Sequence, residues 1–160
     1  MDPGLMPPHS PRFLRLPRPA LAGLALLPAA QIILANQLDD FTYAVEGESI
    51  TITDYPTTGS GAVTVPPTIE GKPVTRIGDE AFRSCYLLTE ITLPASIEVI
   101  GSSAFRDCSG LTAFTIPEGV TSIGSHAFER CGSLEQIAVP DRVTHLGESA
   151  FYQCSKLATV

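Results

Sequence analysis

In LTAFTIPEGVTSIGSHAFERC, residues 111–131, apolar side chains recur at 111, 114 and 116, then at 120 and 123, then at 127, 128 and 131. The first group has the two-residue step of an extended strand, so Phe114 and Ile116 point one way while Ala113 and Thr115 point the other. Pro117 ends that strand because it has no amide to donate. Val120 and Ile123 mark a second short extended segment. Gly124 then permits a backbone conformation that a β-carbon would resist. Ala127, Phe128 and Cys131 stand at i, i+1 and i+4, a spacing that suits about one helical turn pressed onto an interior.

The stretch is one of a series. Phe82, Phe105, Phe128 and Phe151 lie 23 residues apart, as do Cys85, Cys108, Cys131 and Cys154, and the same step relates Ala81, Ala104, Ala127 and Ala150. Gly78, Gly101, Gly124 and Gly147 keep it too, and Leu88, Leu111, Leu134 and Leu157 open the units. The template is L-x-x-[IF]-x-[LIV]-P-x-x-[VI]-x-x-[IL]-G-x-x-A-F-x-x-C-x-x. Fixed periodicity of this kind predicts a repeat solenoid, α/β leaning to β, with 23-residue turns, short parallel strands and about one helical turn per repeat. The phenylalanines and cysteines form its core ladder. Burial within one repeat does not offset the ordering of 23 residues, so the turns are stable only when stacked.

The repeats run 88–110, 111–133 and 134–156, with another starting at 157. A looser copy over 62–87 matches Val63, Val65 and Pro66 to Ile91, Leu93 and Pro94, and carries five extra residues in the 67–72 region. Solenoid repeats thus occupy 62–160. Residues 36–61 form a linker and an N-terminal cap, because FTYAVEGESITITDYPTTGS (41–60) alternates apolar and polar side chains around Gly47-Glu48 and reads as a β-hairpin. Such a hairpin covers the first turn, whose core and strand edge are otherwise open.

The first 35 residues read as a leader. Arg12, Arg15 and Arg18 precede the apolar run PALAGLALLPAAQIILA (19–35), which predicts a signal peptide over 1–35 cleaved after Ala35; an uncleaved anchor is the alternative. A secreted or cell-surface location follows, with no membrane insertion after cleavage. Of the 160 residues, 44% are hydrophobic and 17% charged, which excludes a disordered acidic chain. Residues 36–160 hold 7 basic against 16 acidic side chains. That balance repels nucleic acid and anionic lipid.

These repeats resemble the BspA-type leucine-rich repeats of bacterial surface and secreted proteins, on the strength of 111–131 and its neighbours and of IEGKPVTRIGDEAFRSC (69–85). The resemblance implies a right-handed solenoid of short parallel strands and roles in adhesion or recognition, with no shared catalytic residues. The sole asparagine is Asn36, so a buried asparagine ladder is absent.

Four cysteines in an exported chain ordinarily suggest disulfides. Stacked turns argue otherwise: equivalent residues about 4.8 Å apart with parallel side chains keep Cβ atoms beyond the usual ~3.8 Å, which predicts buried thiols. A line of sulfurs does not suit a metal either. His126 and His145 fall at different repeat positions, and no Asp or Asn is placed to orient a His126–Cys131 pair. No catalytic motif or cofactor is expected. The outward strand positions Glu90, Thr92, Ala113, Thr115, Gln136 and Ala138 are small and lack Trp, Tyr or Arg. Arg83, Arg106, Glu129, Arg130 and Tyr152, around the expected helical turn, are the richer hot-spot candidates. Within that group Arg83, Arg106, Arg130 and Tyr152 are the expected partner-binding residues, with a solvated rim as the plainer alternative. The expected function is an exported, non-catalytic module binding an extracellular protein or glycan. The alternative is an accessory or spacer segment of a larger exported protein, an enzyme among the candidates, whose functional part lies beyond residue 160. Self-association is expected through the open C-terminal end of the stack.

Overall fold

A computed structural model describes residues 40–159 of the chain. The signal peptide expected over 1–35 lies outside the described residues. Strands β1 (Thr42–Glu46) and β2 (Ser49–Asp54) form an antiparallel hairpin whose two-residue turn starts with Gly47 at φ 63°. Glycine first in such a turn gives a twist that matches the strands. β3 (Gly61–Thr64) follows, and the 67–72 insertion is a second hairpin, β4 (Thr68–Ile69) with β5 (Lys72–Ile77). The remaining strands are short: β6 (Leu88–Thr92), β7 (Val99–Ile100), β8 (Ala113–Phe114), β9 (Ser122–Ile123) and β10 (His145–Leu146).

Two sheets run along the stack. One has the order β1-β2-β5-β7-β9-β10, with β2 parallel to β5, so the hairpin caps the first turn. The other is β3-β6-β8, all parallel, and bridges Ala113–Gln136 and Gln136–Thr159 continue it through later turns. The core between them holds the expected ladder: Phe82, Phe105, Phe128, Cys85, Cys108 and Cys131 are fully buried. Phe82, Phe105, Phe128 and Phe151 stack at centroid distances of 5.1, 5.3 and 5.5 Å. The cap extends the ring column, with Tyr55 on Phe82 at 5.2 Å and Phe41 on Tyr55 at 5.3 Å. Phe114 sets its edge against Phe105 and Phe128.

The expected helical turn is absent; the described residues contain no helix. Around each Ala-Phe pair the chain makes consecutive tight turns with two non-glycine residues at positive φ. Ser103 (53°) and Asp107 (62°) occupy those places in one turn, His126 (59°) and Arg130 (60°) in the next. A left-handed residue costs about 1 kcal/mol. Here it redirects amides across the stack, so that Phe82, Phe105 and Phe128 donate to the carbonyls of Ala104, Ala127 and Ala150, each at 2.8 Å. Local spacing of Ala, Phe and Cys suited a helix. Hydrogen bonding between turns outcompetes it because every turn supplies the same partner in register.

The glycine column also has a different cause from the one expected. None of Gly78, Gly101, Gly124 and Gly147 has positive φ. A Cβ on Gly124 would stand 2.5 Å from the Ser102 nitrogen, and one on Gly147 2.2 Å from that of Ser125. The column allows close approach of successive turns.

Candidate interaction surface

Two faces carry the variable residues. On the strand face the sheet register aligns Glu90, Ala113, Gln136 and Thr159 in one row, and Thr92 follows Thr64 in the next. Alternation places these side chains outward because their neighbours Ile91, Phe114 and Ile137 are spent on the core. Three grooves meet here. A groove of about 620 Å³ runs past Glu90, Thr92, Ala113, Thr115, Glu118 and Arg142, and two smaller ones adjoin it past Asp141 and Glu135. All three share Phe114 and Thr115, and Phe114, only 5% exposed, lies beneath as floor. Their edges present four carboxylates, Glu90, Glu118, Glu135 and Asp141, and one guanidinium, Arg142. All five side chains are exposed, and none makes an ion pair among the described residues.

The opposite ridge, along the tight turns, holds Arg83, Arg106, Arg130 and Tyr152. Glu129 is the centre of it, with a side chain only 5% exposed. Its Oε1 lies 3.1 Å from Arg106 Nη2 and 3.7 Å from Arg130 Nε, while its Oε2 stands 2.7 Å from His126 Nδ1. Both of those facing atoms are buried and make no hydrogen bond among the described residues. Asp107 lies 3.6 Å from Arg106 and 3.7 Å from Arg130. Arg130 also donates to Gln153 Oε1 at 2.8 Å, and Arg83 is paired with Glu80 at 2.6 Å. Successive turns thus present a checkerboard, Arg106 with Asp107 above Glu129 with Arg130. Tyr152 is 56% exposed beyond it. The ridge brings the expected hot-spot residues together, with the arginines tied to carboxylates of their own chain.

Sequence reasoning missed the groove-edge residues Glu118, Glu135, Asp141 and Arg142. Their signal is readable: they occupy repeat positions that vary from turn to turn and flank the strand or the proline after it. It also missed Asp107, although the alternation of sign between two neighbouring columns is legible once the turns are aligned.

The cysteines are unbridged. Cys108, Cys131 and Cys154 each donate to the carbonyl of the preceding turn's phenylalanine, at 3.0, 3.1 and 3.0 Å. The Cys108 thiol is pushed up by its hydrogen bond with Cys85, which that bond lowers, and then by burial; burial likewise pushes up Cys131 and Cys154. Thiols held protonated are poor nucleophiles and poor metal ligands. Among the described residues no His, Cys, Asp or Glu group is arranged to hold a metal ion, and no helix is long and apolar enough to cross a membrane.

Parallel strands stacked by a 23-residue repeat, with Leu-x-x-Ile-x-Leu strands on one face, define a leucine-rich repeat solenoid. The family model described as a BspA type leucine rich repeat region matches residues 75–160 in six copies, and the chain belongs to that family. Solved structures agree. A leucine-rich repeat protein of T. pallidum is 32% identical with a TM-score of 0.65, covering 74% of this chain and 67% of that one. One from Bacteroides capillosus is 30% identical with a TM-score of 0.67, covering 76% and 92%. A leucine rich cell surface protein of Faecalibacterium prausnitzii is 30% identical with a TM-score of 0.54, and the match covers 76% of this chain and 37% of that protein. No curated protein matches the sequence.

Proposed function

We propose that this chain is a non-catalytic interaction module, secreted or displayed at the cell surface, that binds an extracellular protein or glycan through its strand face. The observation that carries the reading is the meeting of all three grooves on Phe114 and Thr115, beside acids that none of the described residues neutralises. Small residues on the floor let a partner come close, and repetition extends the surface along the stack. The leader, the family and the cell-surface relative support the location. N-terminal sequencing of the exported product tests it, with Asn36 expected first.

A photo-crosslinker at Thr115 should capture the partner on intact cells, and Ala113→Trp should abolish the capture. Crosslinking from Arg83 or Tyr152 instead would place the site on the ridge, with Arg106 and Arg130 between them. A spacer role within a larger exported protein is the second reading, favoured by the 37% share of the Faecalibacterium prausnitzii protein that this chain spans. Capture from neither face would favour it.

A further inference from the structure

The charges of the two faces are disposed of differently, and this difference describes the partner. On the ridge every arginine has a carboxylate of its own chain within 4 Å. On the strand face Glu90, Glu118, Glu135 and Asp141 edge the grooves without such a partner among the described residues, where Arg142 is the one cation lining them. We propose that the strand face binds an extended cationic polypeptide segment, its backbone on the Thr92, Ala113, Thr115 and Ala138 floor and its Lys or Arg side chains on the flanking carboxylates. This rests on the strand-face reading above and names its partner.

The floor suits a peptide backbone. Ala113, Thr115 and Ala138 extend little above the sheet, so a chain laid on them comes near enough for its long basic side chains to reach acids on both sides. The strand backbones are paired to neighbouring turns on either side, so recognition falls to side chains. A sugar ring is less well served: among the described residues the only aromatic lining the grooves is Phe114, which lies 95% covered beneath them. Arg142 sits where earlier turns have Gly119 and Ser96, and makes its end of the trough the least favourable for a further cation. A segment basic at one end and neutral at the other fits best.

The probe is a labelled dodecapeptide of alternating Thr and Lys, with an alternating Thr-Glu peptide as its counterpart. The first should bind the full chain and the second should not, and added salt should weaken the binding. Exposed charge pairs each contribute little, so the triple variant E90Q/E118Q/E135Q should bind about tenfold more weakly. The variant D54N/E98Q/E148Q removes the same charge from exposed positions outside the grooves and should bind as the parent does. On the unmodified chain, amide shifts on adding peptide should cluster at Thr92, Ala113, Thr115 and Ala138. Equal loss in both triple variants, undiminished binding in the first, or shifts confined to other turns would overturn the proposal. Loss of the natural partner on Ala113→Trp without loss in E90Q/E118Q/E135Q overturns the cationic assignment alone, and leaves a neutral protein or glycan on the same face.

Discussion

The strand face and the turn ridge are built by the same 23-residue period, yet one spends its charges inside the molecule and the other leaves them outside. On the ridge Glu129 is buried among Arg106, Arg130 and His126, and binds one turn to the next. Glu90, on the strand face, touches no cation among the described residues. Variation between repeats is therefore not by itself a mark of binding. It serves cohesion where side chains of adjacent turns converge over a tight turn, and recognition where they stand apart on a flat sheet.

The comparison breaks most easily in the ring column behind the ridge. Phe128→Ala should cost about 3–5 kcal/mol, measured by urea unfolding, because its ring is fully buried between Phe105 and Phe151. Phe151→Ala should cost distinctly less, since that ring is only half-buried. Equal losses would mean that stability is not distributed along the stack. Next comes Glu129→Gln, expected to cost about 1–3 kcal/mol by leaving Arg106 short of its partner. Glu90→Gln should stay within about 0.5 kcal/mol. If the two substitutions cost the same, the ridge network is no more structural than the strand-face acids.

Alkaline titration sharpens the contrast further. Burial raises Cys131 and Cys154 above the ordinary 9.0, so above that value the unfolded chain sheds protons that the folded chain keeps. Stability from this source is complete below pH 9.0 and is lost as pH rises beyond it; Tyr43 and Tyr55, raised above 10.0 by burial first, add to the same slope. The Tm should be flat through neutrality and fall above about pH 9. Cys131→Ser should fall less steeply. The smallest effect is expected from Ala113→Trp, which should leave the Tm nearly unchanged while removing the partner.

The core was legible in the sequence because inward positions are fixed by packing and therefore repeat: every apolar position of 111–131 expected to point inward is buried. The hairpin around Gly47 was legible from its alternation. The helical turn was misread because Ala127, Phe128 and Cys131 carry no sign that their amides bond across turns, and serine, histidine and arginine do not announce positive φ. Phe41 and Tyr55 continue the ring column but sit outside the repeat, so periodicity could not find them. The ridge candidates could be grouped from their repeat positions, while their pairing with Glu129 and Asp107 depends on which residues share a column in adjacent turns.

The thiol column bears on how the molecule is made. Cys108, Cys131 and Cys154 are shielded only once the preceding turn offers its phenylalanine carbonyl, and Cys85 once the cap offers those of Tyr55 and Pro56. Before that, all four are exposed and any two can be oxidised to a bridge that holds turns out of register. In an oxidising medium the chain runs a race between stacking and sulfur chemistry. Refolding from the cap should win it more often than refolding from the last repeat, because every turn added onto a finished one closes its cysteine as it arrives.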